Sequence, residues 1–210
     1  TTAATPLGVA LADIDGDGDL DLIAATQGGG ASVLKNNSNG TFAAKNDYAG
    51  ACNVGGVATG DIDGDGDTDI VLTNGCGSSI SVLKNSGTGT FAAKVDYTTV
   101  SQSSGIVLTD LDGDGDLDVA TDSGNTAFLS ILLNSGTGTY GTKTDYAVAS
   151  VSNTIAAADL DNDGDKDLVV PNTTPGTVSV LKNNSNATFA TKIDYTASGG
   201  SRGVALAMSK

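Results

Sequence analysis

The chain contains no glutamate, no histidine and no tryptophan, and only two cysteines. Without histidine there is no imidazole for acid–base work, and without glutamate there is no evident carboxylate pair for glycoside hydrolysis. Zinc and copper, which prefer imidazole and thiolate, are poorly served. Serine and threonine are plentiful, yet none has a recognisable activating partner, so an enzyme is not expected. Lysine and arginine number ten against 25 acidic residues, for a formal charge of −15. A phosphate backbone needs clustered cations, and this balance excludes nucleic acid as a partner. No apolar run reaches the length of a membrane span, and no basic leader precedes an apolar stretch, so a mature, soluble chain is expected. Aromatics are also few, five Tyr and four Phe, and a core must be built from Ala, Val, Leu and Ile.

What is abundant is aspartate, which supplies all 25 acidic residues. Glutamate solubilises a surface equally well, so the bias points to tight turns and metal loops, where one methylene keeps the oxygens close to the backbone. The aspartates recur in clusters beginning at Asp13, Asp61, Asp110 and Asp159, a period of 48 or 49 residues. Phe42, Phe91, Tyr140 and Phe189 keep the same register, as do Tyr48, Tyr97, Tyr146 and Tyr195. Lys45, Lys94, Lys143 and Lys192 follow it, with Asp47, Asp96, Asp145 and Asp194 two residues on. A fixed period of this size marks stacked supersecondary units, and residues 1–210 read as a single repeat domain.

Within one unit, residues 56–60, 69–73, 80–84 and 90–97 are apolar or β-branched segments of strand length, separated by Gly, Asn, Ser and Thr. None has a helical period. The expected fold is therefore all-β, a β-propeller-like array of four four-stranded blades, because each small sheet has two apolar faces that neighbouring blades can cover. The blades are placed at about 7–48, 56–97, 105–146 and 154–195. Residues 203–207 repeat residues 8–12 letter for letter, so an extra C-terminal strand is expected over 202–207.

The aspartate loops carry the chemistry. The first reads DIDGDGDLD over residues 13–21, and the others read DIDGDGDTD, DLDGDGDLD and DLDNDGDKD. A hard cation such as Ca²⁺ takes six to eight oxygens, and alternate carboxylates on a curled segment can converge on one point. Gly18, Gly66, Gly115 and Gly164 occupy the sixth position, where a Cβ would penalise the curl. Asp13, Asp15, Asp17 and Asp21 are expected as side-chain ligands, with the carbonyl of Asp19 completing the cage. By register the second site is Asp61, Asp63, Asp65, Asp67 and Asp69, and the third is Asp110, Asp112, Asp114, Asp116 and Asp118. Asp159, Asp161, Asp163, Asp165 and Asp167 form the fourth. An EF-hand would need a glutamate at position twelve, where Ala24, Leu72, Thr121 and Val170 stand. Asp-Gly pairs also make plain hairpin turns. Five carboxylates within nine residues, four times over, repel without a counterion, which favours four calcium ions, one per repeat.

The unit resembles the FG-GAP/VCBS repeat of integrin-α-type β-propellers in its spaced aspartates, the apolar strand after them and the downstream aromatic. That resemblance implies calcium in the loop between the first and second strands of each blade. The chain departs from the family in lacking the Phe-Gly and Gly-Ala-Pro signatures, and in having four units where six to eight are usual.

Cys52 and Cys76 have no counterparts in other units. In the blade arrangement they fall in two loops on the face opposite the aspartates, where they are either a disulfide suited to an oxidising, extracellular setting or two small buried thiols. Among the residues outside the repeat, Asp122 reads as a solvated turn and Phe128 as a packing residue. The expected function is that of a secreted or surface-exposed calcium-stabilised module, structural and self-assembling or adhesive. Self-association is expected through the terminal strand, by addition to an open sheet edge. The alternative is carbohydrate binding, with a glycan or surface protein held by loops 27–31, 74–79, 121–128 and 172–177.

Overall fold

Each aspartate loop connects two strands of one antiparallel sheet. The computed structural model describes residues 5–50 and 52–197, and these residues form sixteen strands and no helix. The first sheet contains β1 (Pro6–Ala12), β2 (Asp21–Thr26), β3 (Gly30–Leu34) and β4 (Asn46–Ala49). The second contains β5 (Val57–Gly60), β6 (Asp69–Asn74), β7 (Ser79–Leu83) and β8 (Val95–Thr98). The third contains β9 (Ser103–Thr109), β10 (Asp118–Ser123), β11 (Phe128–Leu132) and β12 (Thr144–Ala147). The fourth contains β13 (Ala156–Ala158), β14 (Asp167–Asn172), β15 (Thr177–Leu181) and β16 (Ile193–Thr196). In every sheet the strands lie side by side in chain order. The architecture is all-β and propeller-like, with four blades. The expected strand at 202–207 lies outside the described residues.

The blades bury their apolar residues against one another. Three clusters fill the three seams: Ile23, Val33, Leu72 and Phe91 between the first and second blades, Val71, Val82, Val119 and Tyr140 between the second and third, and Leu129, Ile131, Val170 and Phe189 between the third and fourth. The middle strands β6, β10 and β14 are buried along their whole length, which explains the apolar runs 70–72 in β6 and 168–170 in β14. β2 alternates buried and half-buried residues instead, because the first blade has one face without a preceding blade among the described residues. The first strands approach closely near the axis. A Cβ on Gly105 would sit 2.6 Å from the Thr154 Cα and 2.8 Å from its nitrogen, so only glycine fits that seam.

The same polar contacts recur at each seam. Tyr48, Tyr97 and Tyr146 meet Phe91, Tyr140 and Phe189 of the following blade edge to face, with ring centroids 4.9, 5.4 and 5.2 Å apart. The tyrosine hydroxyls donate to the carbonyls of Gly89, Gly138 and Ala187. Asn85, Asn134 and Asn183 reach back to donate to the carbonyls of Ile14, Ile62 and Leu111. The repeated lysine and aspartate pair at the rim, Lys94 with Asp96 for example, and Ser81 donates to the same carboxylate at 2.6 Å.

Three expectations change. The fourth strand of the second unit starts at Val95 rather than residue 90, and Phe91 makes only an isolated bridge with Asn85. Gly87 and Gly89 take φ of 80° and 66° there, and the Ser86 N–H donates to the Thr90 carbonyl, closing a tight loop before the strand can begin. Phe128 is exposed rather than packed. Asp122 is not a solvated turn residue: it is fully buried in β10, where its Oδ1 accepts from Gly105 N–H at 2.6 Å and the Ser104 hydroxyl at 2.8 Å.

Burial pushes the Asp122 carboxyl above its ordinary range, although the Gly105 N–H and the Ser104 hydroxyl pull the other way. A carboxyl raised on folding contributes stability at low pH that is lost as pH rises through its folded value. Thr73 holds the same register in the second blade, where its hydroxyl accepts from Gly56 N–H at 2.8 Å. Asp122→Thr is therefore expected to stabilise the protein at pH 8 by about 1 kcal/mol or more, with the gain shrinking toward pH 4. Thermal melts of both proteins across that range, at constant calcium, check the sign.

Candidate metal centres

Each aspartate loop is the hairpin between the first and second strands of a blade, and its first aspartate organises it. Asp13 accepts from the N–H groups of Gly16 at 2.8 Å, Asp17 at 3.2 Å and Gly18 at 2.9 Å. Asp61, Asp110 and Asp159 repeat this with the residues three and five positions on. The curl needs left-handed backbone twice. The sixth-position glycines have φ between 90° and 101°, and Asn162, which takes φ 63°, replaces the fourth-position glycine in the last loop.

The curl brings carboxylates together. One oxygen from each of Asp13, Asp15 and Asp17 lies within 4.8 Å of the others, and so do those of Asp159, Asp161 and Asp163. In the second and third loops the corresponding trios are Asp61, Asp63 and Asp69, and Asp110, Asp112 and Asp118. The first and third positions thus converge in all four loops, and the trio is completed by the fifth or the ninth. Seventh-position side chains turn away: a Cβ on Gly87 would lie 2.6 Å from Asp67 Oδ2, the Gly136 position meets Asp116 similarly, and Asp165 accepts from Ser185. Asp67, Asp116 and Asp165 therefore have their main-chain carbonyls rather than their carboxylates to offer.

Ninth-position aspartates have a second task. Asp69 is fully buried, and its two oxygens accept from Ile62 N–H at 3.1 Å and Asn85 N–H at 2.7 Å. Asp21, Asp118 and Asp167 make the same pair of bonds in their own blades. Burial pushes the carboxyls of Asp69 and Asp118 up to about 6, against the pull of those N–H groups, and neighbouring aspartates add to the rise. A cation at the site would offset that cost.

Sequence reasoning missed the lysine beside three of the four clusters. Lys35, Lys84 and Lys182 lie 3.0, 3.2 and 2.8 Å from Asp15, Asp63 and Asp161. Their signal is a lysine directly after Ser-Val-Leu at the end of the third strand; Leu133 stands at that place in the third blade. Even so, Asp15 Oδ1 and Asp63 Oδ1 are buried without a hydrogen-bond partner. An orphaned, desolvated carboxylate oxygen inside a carboxylate cluster fits a bound hard cation and is costly otherwise.

The family model for the FG-GAP-like repeat matches three times, over residues 13–72, 61–121 and 119–170. The chain belongs to the FG-GAP-like repeat family. Its matched units span the aspartate loops and run into the second strand of the fourth blade. No curated protein matches this FG-GAP-like chain in sequence. In structure it resembles an Agrocybe aegerita lectin that recognises non-reducing terminal N-acetylglucosamine, at 23% identity and a TM-score of 0.61, over 90% of this chain and 51% of that one. It also resembles BBS1N in its complex with ARL6DN, at 14% identity and a TM-score of 0.60, over 95% and 58% of the two chains. A protein of unknown function from Bacteroides caccae is similar at 14% identity and a TM-score of 0.53, over 92% and 62%. The chain spans between 51% and 62% of the length of these structures, and identities this low bear on the fold alone.

Proposed function

We propose that this FG-GAP-like chain is an extracellular, calcium-stabilised, non-catalytic propeller module with a structural or adhesive role. The observation that carries the proposal is the convergence of carboxylates in all four loops, at the fold's own period, with buried oxygens left unpaired in two of them. Asp13, Asp15 and Asp17 with the Asp19 carbonyl would hold the first ion, and Asp21 would either join them or brace the loop. The other sites follow by register. Calcium supplies positive charge that no side chain of the third cluster provides, and it ties the first strand of each blade to the second.

The cysteines support an extracellular setting. Cys52, before β5, is bonded to Cys76, between β6 and β7, across 24 residues. Absence of catalysis is supported by the placement of the acidic groups outside the loops: Asp122 is fully buried and bonded to Gly105 and Ser104, and the rim aspartates, as at Asp96, are tied to a lysine and a serine. Competitive titration with calcium, magnesium and zinc tests the ion. Calcium is expected to bind in preference to both, and preferred binding of zinc would contradict the proposal.

One observation favours the alternative of carbohydrate recognition. Phe128 is exposed at the start of β11, on the face opposite the aspartate loops, and an exposed aromatic is a stacking platform for a sugar ring. Under this reading Phe128→Ala abolishes glycan-array signals while leaving calcium binding intact. An array without signals removes it.

A further inference from the structure

The two outermost blades each expose one half of the contact that joins every pair of neighbours inside the chain. Phe42 holds the register of Phe91, Tyr140 and Phe189, but it is 40% exposed where those are 5–9% exposed. Tyr195 holds the register of Tyr48, Tyr97 and Tyr146, and it is 55% exposed. Leu160 is 42% exposed, whereas Ile14, Ile62 and Leu111 at the same register are 1–2% exposed. Val9 and Leu11 of β1 are also open, on the side where later blades meet a predecessor.

We infer that the leading face of the first blade docks on the trailing face of the fourth blade of a second copy of this chain. This docking continues the three internal seams, which specify what each exposed group lacks. Tyr195 of one copy would pack edge to face on Phe42 of the other and donate to the Gly40 carbonyl, as Tyr97 does with Tyr140 and Gly138. Asn36 would donate to the Leu160 carbonyl, as Asn134 does to that of Ile62. Lys35 already reaches the Thr88 carbonyl of the next blade at 2.6 Å, and Lys182 would reach the carbonyl of Asn39 in the same way.

Near the axis, Thr154 replaces the glycine found at Gly8, Gly56 and Gly105, so the rim contacts carry this seam. The two faces differ, which makes the contact head to tail. Two copies joined at both ends close a ring of eight blades, and a geometry that misses closure propagates. The inference does not depend on which ion, if any, fills the aspartate loops.

The test uses light scattering after size exclusion on the 210-residue chain at high micromolar concentration in calcium. A mass of twice the chain or more is expected. Phe42→Asp and Tyr195→Asp, both at exposed positions, are each expected to give monomers with unchanged circular dichroism. Each variant retains one intact face, so their equimolar mixture is expected to return a dimer with a single seam. A monomeric parent chain overturns the inference. So do variants that assemble like the parent, or a mixture of monomeric variants that stays monomeric.

Discussion

Transfer from a calcium buffer to a chelator is expected to lower the melting temperature by about 20–40 °C. At a hundredfold excess over its dissociation constant, an ion that binds only the folded state stabilises it by about 2.7 kcal/mol, so four independent sites contribute about 11 kcal/mol. For a chain of this length, 1 kcal/mol corresponds to about 2–4 °C. Much of the effect comes from electrostatics. The loops concentrate 20 of the 25 aspartates, and the lysines beside the first, second and fourth clusters are partly exposed and offset little of that repulsion. Differential scanning calorimetry with and without chelator measures it, and superimposable melts would show that the loops are turns without ions.

The second large effect separates ligands from braces. Asp118→Ala is expected to destabilise the protein by about 3–5 kcal/mol even in chelator, because it leaves the N–H groups of Leu111 and Asn134 unpaired in a buried site. Asp114→Ala, at the exposed fifth position, is expected to be nearly silent in chelator. Both variants should weaken the third site when calcium is present. Urea unfolding of the two variants in both buffers provides the comparison, and equal stabilities in chelator would remove the bracing role of the ninth position.

The repeat makes the blades legible in the sequence. The second strand of the second blade is placed to within one residue, 69–73 against Asp69–Asn74, because a buried apolar run between an aspartate loop and an Asn-Gly turn has little freedom. Its fourth strand is placed too long, since residues 90–94 have strand composition while the paired glycines before them impose a loop. Asp122 misleads when it is considered alone. Its register mates Ala25, Thr73 and Pro171 are all buried, and their small or apolar character points to the interior. The convergence of the first and third loop positions is legible from spacing. The double hydrogen bond at position nine is not, because one partner is in the loop itself, as Ile62 is, and the other beyond the third strand, as Asn85 is, and only the folded sheet brings them together. Exposure of Phe42 and Tyr195 is equally hidden: the period makes them look like every other framework aromatic, and only the order of the blades shows that each lacks its mate.

We propose the four aspartate loops as calcium sites, one per blade. Calcium content measured by mass spectrometry after equilibrium dialysis tests it most directly. About four calcium ions per chain are expected, matching the four carboxylate clusters, and about one fewer in an Asp110→Ala variant. A chain that retains no calcium, or a calcium content unchanged by that substitution, would contradict it.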